Sequence, residues 1–365
     1  MIRIPVNTAS SSYEAVIEHG VLARAGDILA KLIGQSCSLF IVTVAPVRRR
    51  WGKVLLQSLT AAGFSPKILE MRDGERFKRL STVGRLAEDL IKLGADRKAV
   101  VLAFGGGVVG DVAGMLASIY MRGVKLIQVP TTVQAQLDAA IGGKTGVNLR
   151  AGKNLLGTFF QPHLVLIDPA TLATLPEREF RAGMYEAVKC GVIGNVELFA
   201  RLENVSIKSL RKDREFLAWV IAESVRLKAQ VVSTDEKEGD LRRVLNFGHT
   251  LGHAFEAATG YKKFLHGEAV AWGMIAATHV ATKIGVCEKQ VYERIRTATL
   301  AWGALPSVTL QSGKALQLLQ SDKKTERGNV HFVLPKQIGK VEIVNDVPEH
   351  AVTSALAEIR RLSGA

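Results

Sequence analysis

Up to about residue 180 the chain alternates short β-branched runs with amphipathic helical stretches. Leu39-Phe40-Ile41-Val42-Thr43 precedes helical periodicity from Val47 to Ala62, and Lys67-Ile68-Leu69 precedes Leu80 to Leu93. Ala99-Val100-Val101-Leu102-Ala103 and Lys125-Leu126-Ile127-Gln128-Val129 continue the series. Strands separated by helices are joined by crossovers, so the pattern predicts a mostly parallel sheet covered on both faces. From Glu177 onward the strand runs nearly vanish, and long helical patterns such as Phe216 to Val232 and Gly267 to Ile284 take over. At 365 residues the chain is longer than one core usually sustains. The expected architecture is an α/β amino-terminal domain over residues 1–180 and an all-α carboxy-terminal domain over residues 181–365.

Within the helical half, Leu245-Asn246-Phe247-Gly248-His249-Thr250-Leu251-Gly252-His253 is followed shortly by Leu265-His266-Gly267-Glu268. His249 and His253 stand at i and i+4, so on a helix both rings leave the same face. Gly248 and Gly252 leave room beside them for a ligand or for another backbone. Two such rings can grip a divalent metal, and His266 is within reach as a third ligand. Neutral imidazole suits zinc, and three protein ligands with one open position is the catalytic arrangement.

Gly105-Gly106-Gly107-Val108-Val109-Gly110-Asp111 follows a strand run and opens into the apolar pattern Val112 to Tyr120. Glycines there let backbone amides approach a phosphate at a helix amino terminus. The stretch fits the GxGxxG spacing, although no acid stands about 20 residues on at the end of the following strand. The segment Gln136 to Asn148, closing with Gly152-Lys153-Asn154, joins two lysines, amides and Asp138 to many glycines. Gly142-Gly143-Lys144-Thr145 is not a P-loop, because the glycine five residues before the Gly-Lys pair is missing. The segment is read instead as a wall that binds carboxylate or phosphate by point charges.

The formal charge of +14 fits an anionic small molecule. Nucleic acid is not selected: the basic residues are scattered apart from Arg48-Arg49-Arg50, and no aromatic-interleaved basic segment accompanies them. Cys37, Cys190 and Cys287 are odd in number and far apart, which suggests a reducing cytoplasm and no disulfide framework. Met1 to Val6 reads as a strand without a signal peptide's apolar core. Ala269 to Val286 carries His279 and Lys283 and reads as a buried helix, not a membrane span.

Several segments in order give the whole chain a close resemblance to the 3-dehydroquinate synthase family of the sugar phosphate cyclase superfamily. They are Asp73-Gly74-Glu75-Arg76-Phe77-Lys78, Gly105 to Asp111, Tyr120-Met121-Arg122-Gly123, Pro130-Thr131-Thr132, Asp138 to Asn148, Gly152-Lys153-Asn154, Glu186 with Lys189, Asn246 to His253 and Leu265 to Glu268. The resemblance implies zinc, or cobalt in its place, held by Glu186, His249 and His266, with His253 left to handle protons. It makes the first domain NAD-binding and the second metal- and substrate-binding.

By the same resemblance, substrate contacts fall to Arg122, Asp138, Lys144, Asn154, Lys189, Lys228, Arg242, Asn246 and Lys323 or Lys324. NAD meets Asp73, Gly74, Glu75, Arg76, Phe77, Lys78, Gly107, Val108, Val109, Gly110, Asp111, Thr131, Thr132, Lys144, Lys153, Thr171, Leu172, Ala173 and Thr174. One departure is visible: Val44-Ala45-Pro46 lacks the acid that often meets the adenosine ribose.

The implied reaction converts 3-deoxy-D-arabino-heptulosonate 7-phosphate to 3-dehydroquinate and phosphate. It proceeds by transient oxidation with NAD, phosphate elimination, re-reduction and intramolecular aldol closure. The leaving phosphate can accept a proton itself, so His253, Asn246, Lys189 and Glu238 are expected to orient groups and relay protons rather than supply a strong base. A homodimer in the cytoplasm, binding neither nucleic acid nor membrane, is expected. The rival readings are a sister cyclase and a metal- and NAD-dependent polyol dehydrogenase. A neutral polyol gives no reason for Lys144, Lys153, Lys189, Lys228 and Arg242.

Overall fold

The computed structural model describes residues 1–321 and 330–364; Lys323 and Lys324 lie outside the described residues. In chain order the strands are β1 (Ile2–Asn7), β2 (Ser12–Ile17), β3 (Leu39–Val44), β4 (Lys67–Met71), β5 (Val100–Gly105), β6 (Lys125–Pro130), β7 (Lys144–Leu149), β8 (Gly152–Phe159), β9 (Leu164–Ile167), β10 (Phe332–Gln337) and β11 (Lys340–Val344). The α-helices are α1 (Ala25–Ile33), α2 (Ala45–Ala61), α3 (Leu80–Lys92), α4 (Gly107–Ile119), α5 (Glu177–Gly194), α6 (Val196–Leu202), α7 (Ile207–Lys212), α8 (Arg214–Thr234), α9 (His249–Ala258), α10 (His266–Lys283), α11 (Lys289–Leu300), α12 (Ser312–Ser321) and α13 (Glu349–Ser363). They form two compact units: Met1–Pro176 with Arg214–Lys237, and Glu177–Asp213 with the described part of Glu238–Ala365.

The first unit holds a seven-stranded sheet in the order β1-β2-β9-β6-β5-β3-β4. Only β1 and β2 pair antiparallel; the other neighbours run parallel. All six residues of β3 and of β5 are buried, as expected for strands covered on both faces. Side-chain alternation divides each strand between two cores. Phe40, Val42, Val101 and Ala103 join the core of α3 and α4, whereas Leu39, Ile41, Leu102 and Phe104 join that of α1 and α2.

Helix α8 departs from the expected division at residue 180. It packs against β1 and the turn around Asp138, and its Lys228 and Ser233 bond Asp138 and the Asn7 amide of this first unit. Helical periodicity revealed the helix but not its partner.

In the second unit α10 packs against α5, α9, α11 and α13. Two of its glycines set that packing. A Cβ on Gly267 would lie 1.7 Å from the Ala182 carbonyl oxygen, and one on Gly273 would lie 1.8 Å from that of Gly248. Only a hydrogen at these positions lets α5 and α9 approach α10 so closely. The unit is helical but not all-α, because β10 and β11 form an antiparallel hairpin. Its turn uses Gly339 at φ 86°, which supplies the positive φ that tight hairpins favour. Periodicity over so short a run was too weak to set the hairpin apart from the surrounding helices.

Candidate active site

In the second unit, the close approach of α5, α9 and α10 brings a carboxylate and three imidazoles together. Glu186 lies within α5 and is fully buried; His249 opens α9 and His266 opens α10. One ligand atom from each of Glu186, His249 and His266 lies within 4.8 Å of the others. His266 Nε2 is 3.4 Å from Glu186 Oε1, and His249 Nε2 is 4.0 Å from the same oxygen. The Lys189 ammonium, one turn along α5, is 2.6 Å from Glu186 Oε2 and offsets its buried charge.

The outer ring nitrogens are also held. His249 Nδ1 lies 3.1 Å from the Phe247 carbonyl oxygen, and His266 Nδ1 lies 3.2 Å from Glu256 Oε2. With Nδ1–H donating outward, each ring turns Nε2 and its lone pair toward Glu186. Burial alone would push His266 down, but Glu186 and Glu256 raise it to about 9. A divalent cation would sit where that extra proton sits, so one carboxylate and two imidazoles fit a zinc-type ion. His253, Glu256 and His266 form a second group of compatible donors.

Glu256 was not singled out in the sequence. The signal was present: it follows His249 by seven residues and His253 by three, on one helical face. Gly248 and Gly252 serve backbones rather than a ligand, since a Cβ on either would lie 2.9 Å or 3.0 Å from a carbonyl oxygen of α10. Asn246 donates to Glu238 at 3.2 Å, and Arg242 is buried within the same 3₁₀ turn, Leu241–Asn246.

The first unit gathers the remaining assigned residues. Helix α4 begins at Gly107 after Gly106, which offers no side-chain cap for the amide groups of its first turn. Beside it, the Thr131 amide bonds the Gly105 carbonyl, and the buried Thr131 hydroxyl has no partner among the described residues. Open helix amides and an orphaned hydroxyl fit the phosphates of a dinucleotide. The glycines have mixed duties: Gly105 and Gly110 make room for Val109 and Gln128, while a Cβ on Gly107 would meet only ordinary contact.

Asp73 to Lys78 lie between β4 and α3. Arg72 and Arg76 flank the Phe77 ring, and Asn148 donates to Glu75 at 2.8 Å. Lys78 is buried and donates to both Asp111 and Asn154, joining a residue assigned to NAD with one assigned to substrate. Burial pushes Asp111 up while Lys78 opposes it. In the 3₁₀ turn Pro169–Thr174, Thr171 and Leu172 are buried. Its Thr171 hydroxyl bonds Asp168 and Gln136, and Thr174 accepts from Trp51.

Asp138 occupies a π-helical turn, Ala135–Ala139, a geometry that often marks function. Lys228 donates to its carbonyl and carboxylate oxygens, both at 2.6 Å. Lys144, at the start of β7, is exposed, and so is Asn154 at φ 54°. Lys153 is half-buried on β8, and exposed Arg122 follows Met121 with both at positive φ. Two successive non-glycine residues in that region are uncommon and point to a function.

Residues 68–182 match the domain family described as 3-dehydroquinate synthase N-terminal, and residues 183–325 match 3-dehydroquinate synthase C-terminal. The 3-dehydroquinate synthase of Koribacter versatilis (strain Ellin345) is 50% identical over 363 residues, covering 100% of this chain and 99% of the relative. The chain belongs to the 3-dehydroquinate synthase family.

Similar solved structures carry the relationship into three dimensions. 2-Epi-5-epi-valiolone synthase from Streptomyces hygroscopicus subsp. jinggangensis 5008, with NAD+ and Zn2+ bound, shares 32% identity at a TM-score of 0.88, covering 96% of this chain and 98% of that one. 2-Deoxy-scyllo-inosose synthase, complexed with carbaglucose-6-phosphate, NAD+ and Co2+, shares 26% identity at 0.84, covering 98% and 100%.

Proposed function

We propose that this chain performs the reaction of the 3-dehydroquinate synthase family, converting 3-deoxy-D-arabino-heptulosonate 7-phosphate to 3-dehydroquinate and phosphate. The observation that carries the proposal is the full-length 50% identity to a 3-dehydroquinate synthase. The assembled Glu186, His249 and His266 supply the chemistry such an enzyme needs. These three residues hold Zn2+ or Co2+, and the α4 amino terminus with Thr131 and Thr132 holds NAD. When bound, the metal supplies Lewis acidity toward substrate hydroxyls and NAD supplies a reversible hydride acceptor.

The chain's own residues bind and orient. Lys144 pairs with an anionic group of the substrate, and Lys228 fixes Asp138 in place to orient the substrate. Lys189, at 2.6 Å, offsets the charge of the Glu186 carboxylate. The His253 ring centroid lies 5.4 Å from that of His249 and 5.9 Å from that of His266, placing an imidazole that can move a proton beside the metal donors. Asn246, fixed by Glu238, orients the substrate.

We further propose a homodimer, supported by exposed apolar Ile119, Met121, Leu149 and Phe159, and a cytoplasmic location, supported by three free cysteines. No helix among the described residues is long and apolar enough to cross a membrane.

Incubating the purified protein with NAD and the heptulosonate phosphate should release phosphate and yield 3-dehydroquinate. Sedoheptulose 7-phosphate, which lacks the carboxylate, should turn over far more slowly. Equal or faster turnover of sedoheptulose 7-phosphate would make the chain a sister cyclase.

A further inference from the structure

The turn bearing Lys144 depends on a contact that the catalytic reading leaves unused. Gly142 and Gly143 have φ of 90° and 65°, so the backbone before Lys144 follows a path that glycine allows but does not fix. Three neighbours hold it. The Tyr13 hydroxyl accepts from the Gly142 amide at 3.0 Å, and the Phe160 amide donates to the Gly143 carbonyl at 2.7 Å. The Gln161 amide lies flat against Gly143: a Cβ there would be 2.7 Å from Gln161 Cδ.

Gln161 is itself held from one side. Its Nε2 donates to Glu236 Oε1 at 2.8 Å, while its buried Oε1 has no partner among the described residues. Glu236 is buried just beyond the end of α8 and accepts from the Ser10 hydroxyl and, at 3.0 Å, from the Ser10 amide. Burial works to raise this carboxyl, but the bonds from Ser10 and Gln161 outweigh it and hold the group below its usual range. A charged acceptor makes stronger bonds than a neutral one, so the amide of Gln161 is fixed against the glycine turn. Earlier along the same helix, Lys228 secures Asp138. Helix α8 and the residue two beyond its end therefore hold the segment at Asp138 and, through Gln161, at Gly143.

We propose that Glu236, acting through Gln161, is a positioning residue that fixes the Gly142-Gly143-Lys144 turn and so aims the Lys144 ammonium at an anionic group of the substrate. This rests on the assignment of Lys144 to substrate. The brace spares the binding step the cost of ordering a two-glycine turn.

Steady-state kinetics on the full, metal-loaded chain with saturating NAD tests the brace. Lys144→Ala should lower kcat/KM for the heptulosonate phosphate about tenfold, the loss expected when the ammonium that pairs with a bound anionic group is removed. Glu236→Ala and Gln161→Leu should each raise KM roughly fivefold with kcat little changed, the effect of one hydrogen bond of ordinary net strength. Gln161→Leu keeps the bulk against Gly143, so it remains informative if Glu236→Ala does not fold. Adding either substitution to Lys144→Ala should raise KM no further, because no ammonium is left to aim.

A wild-type KM in folded Glu236→Ala or Gln161→Leu overturns the proposal. So does a KM effect that multiplies in full with that of Lys144→Ala, since it would mark a general structural role. If Lys144→Ala leaves kcat/KM unchanged, the assignment of Lys144 itself has failed and the brace falls with it.

Discussion

At the metal centre, two overlapping donor groups share one histidine. The His266 ring offers Nε2 to Glu186 and Nδ1 to Glu256, and one ring cannot place a metal at both nitrogens while keeping an outward hydrogen bond. We propose the more buried group, with Lys189 offsetting its carboxylate, as the metal site, with Glu256 as the orienting acceptor. Bound metal should therefore fall well below one per chain in Glu186→Ala, His249→Ala and His266→Ala, and stay near wild type in His253→Ala. Glu256→Ala should weaken metal binding about tenfold to a hundredfold, with Glu256→Gln, which still accepts from Nδ1–H, recovering part of the loss. Elemental analysis and chelator competition measure both. Metal loss in His253→Ala with retention in His266→Ala would reverse the assignment. The i, i+4 histidine pair was legible in the sequence, but spacing alone left both rings as ligands. The resemblance chose the first of them and added Glu186, which is remote in sequence and reaches the site only through the packing of α5 against α10.

Among the elements, the strands of the parallel sheet were the easiest to read, because burial on both faces writes itself as a continuous apolar run in β5 and as runs broken by a single polar residue in β3 (Thr43) and β6 (Gln128). Helix packing left a fainter trace. Gly267 and Gly273 looked like ordinary helix glycines, yet the backbone of α10 meets Ala182 and Gly248 at these positions. Likewise nothing in α8 announced that it packs in the first unit, since its partners Asp138 and Asn7 lie far away in sequence. If close helix contact is what assembles the metal donors, Gly267→Ala should force α5 from α10. That change is expected to destabilise the fold by about 3 kcal/mol, the scale of overpacking a tight contact, and to empty the metal site. Gly313→Ala on α12, where a Cβ would meet nothing within 4 Å, should leave metal content unchanged and stability equal or better. Thermal unfolding of both variants with and without added Zn2+ checks this. Full metal occupancy in Gly267→Ala would show that the donors do not depend on that contact.

For the whole molecule, the proposed reaction has no net change of oxidation state. Product and phosphate together carry the same electrons as the substrate, so any hydride taken from the substrate must return to it before release. An enzyme built for this needs its nucleotide retained through the cycle, and the uncapped amino terminus of α4 with the orphaned Thr131 hydroxyl offers polar groups suited to holding one. A polyol dehydrogenase instead passes its hydride on with the departing nucleotide. A limiting amount of NAD, below the concentration of substrate, should therefore support many rounds of phosphate release, with no build-up of absorbance from reduced cofactor. The readouts are phosphate released per NAD added and absorbance of the reduced nicotinamide over the same interval. A strict requirement for one NAD per product, with matching accumulation of reduced cofactor, would overturn the cyclase reading and restore the dehydrogenase.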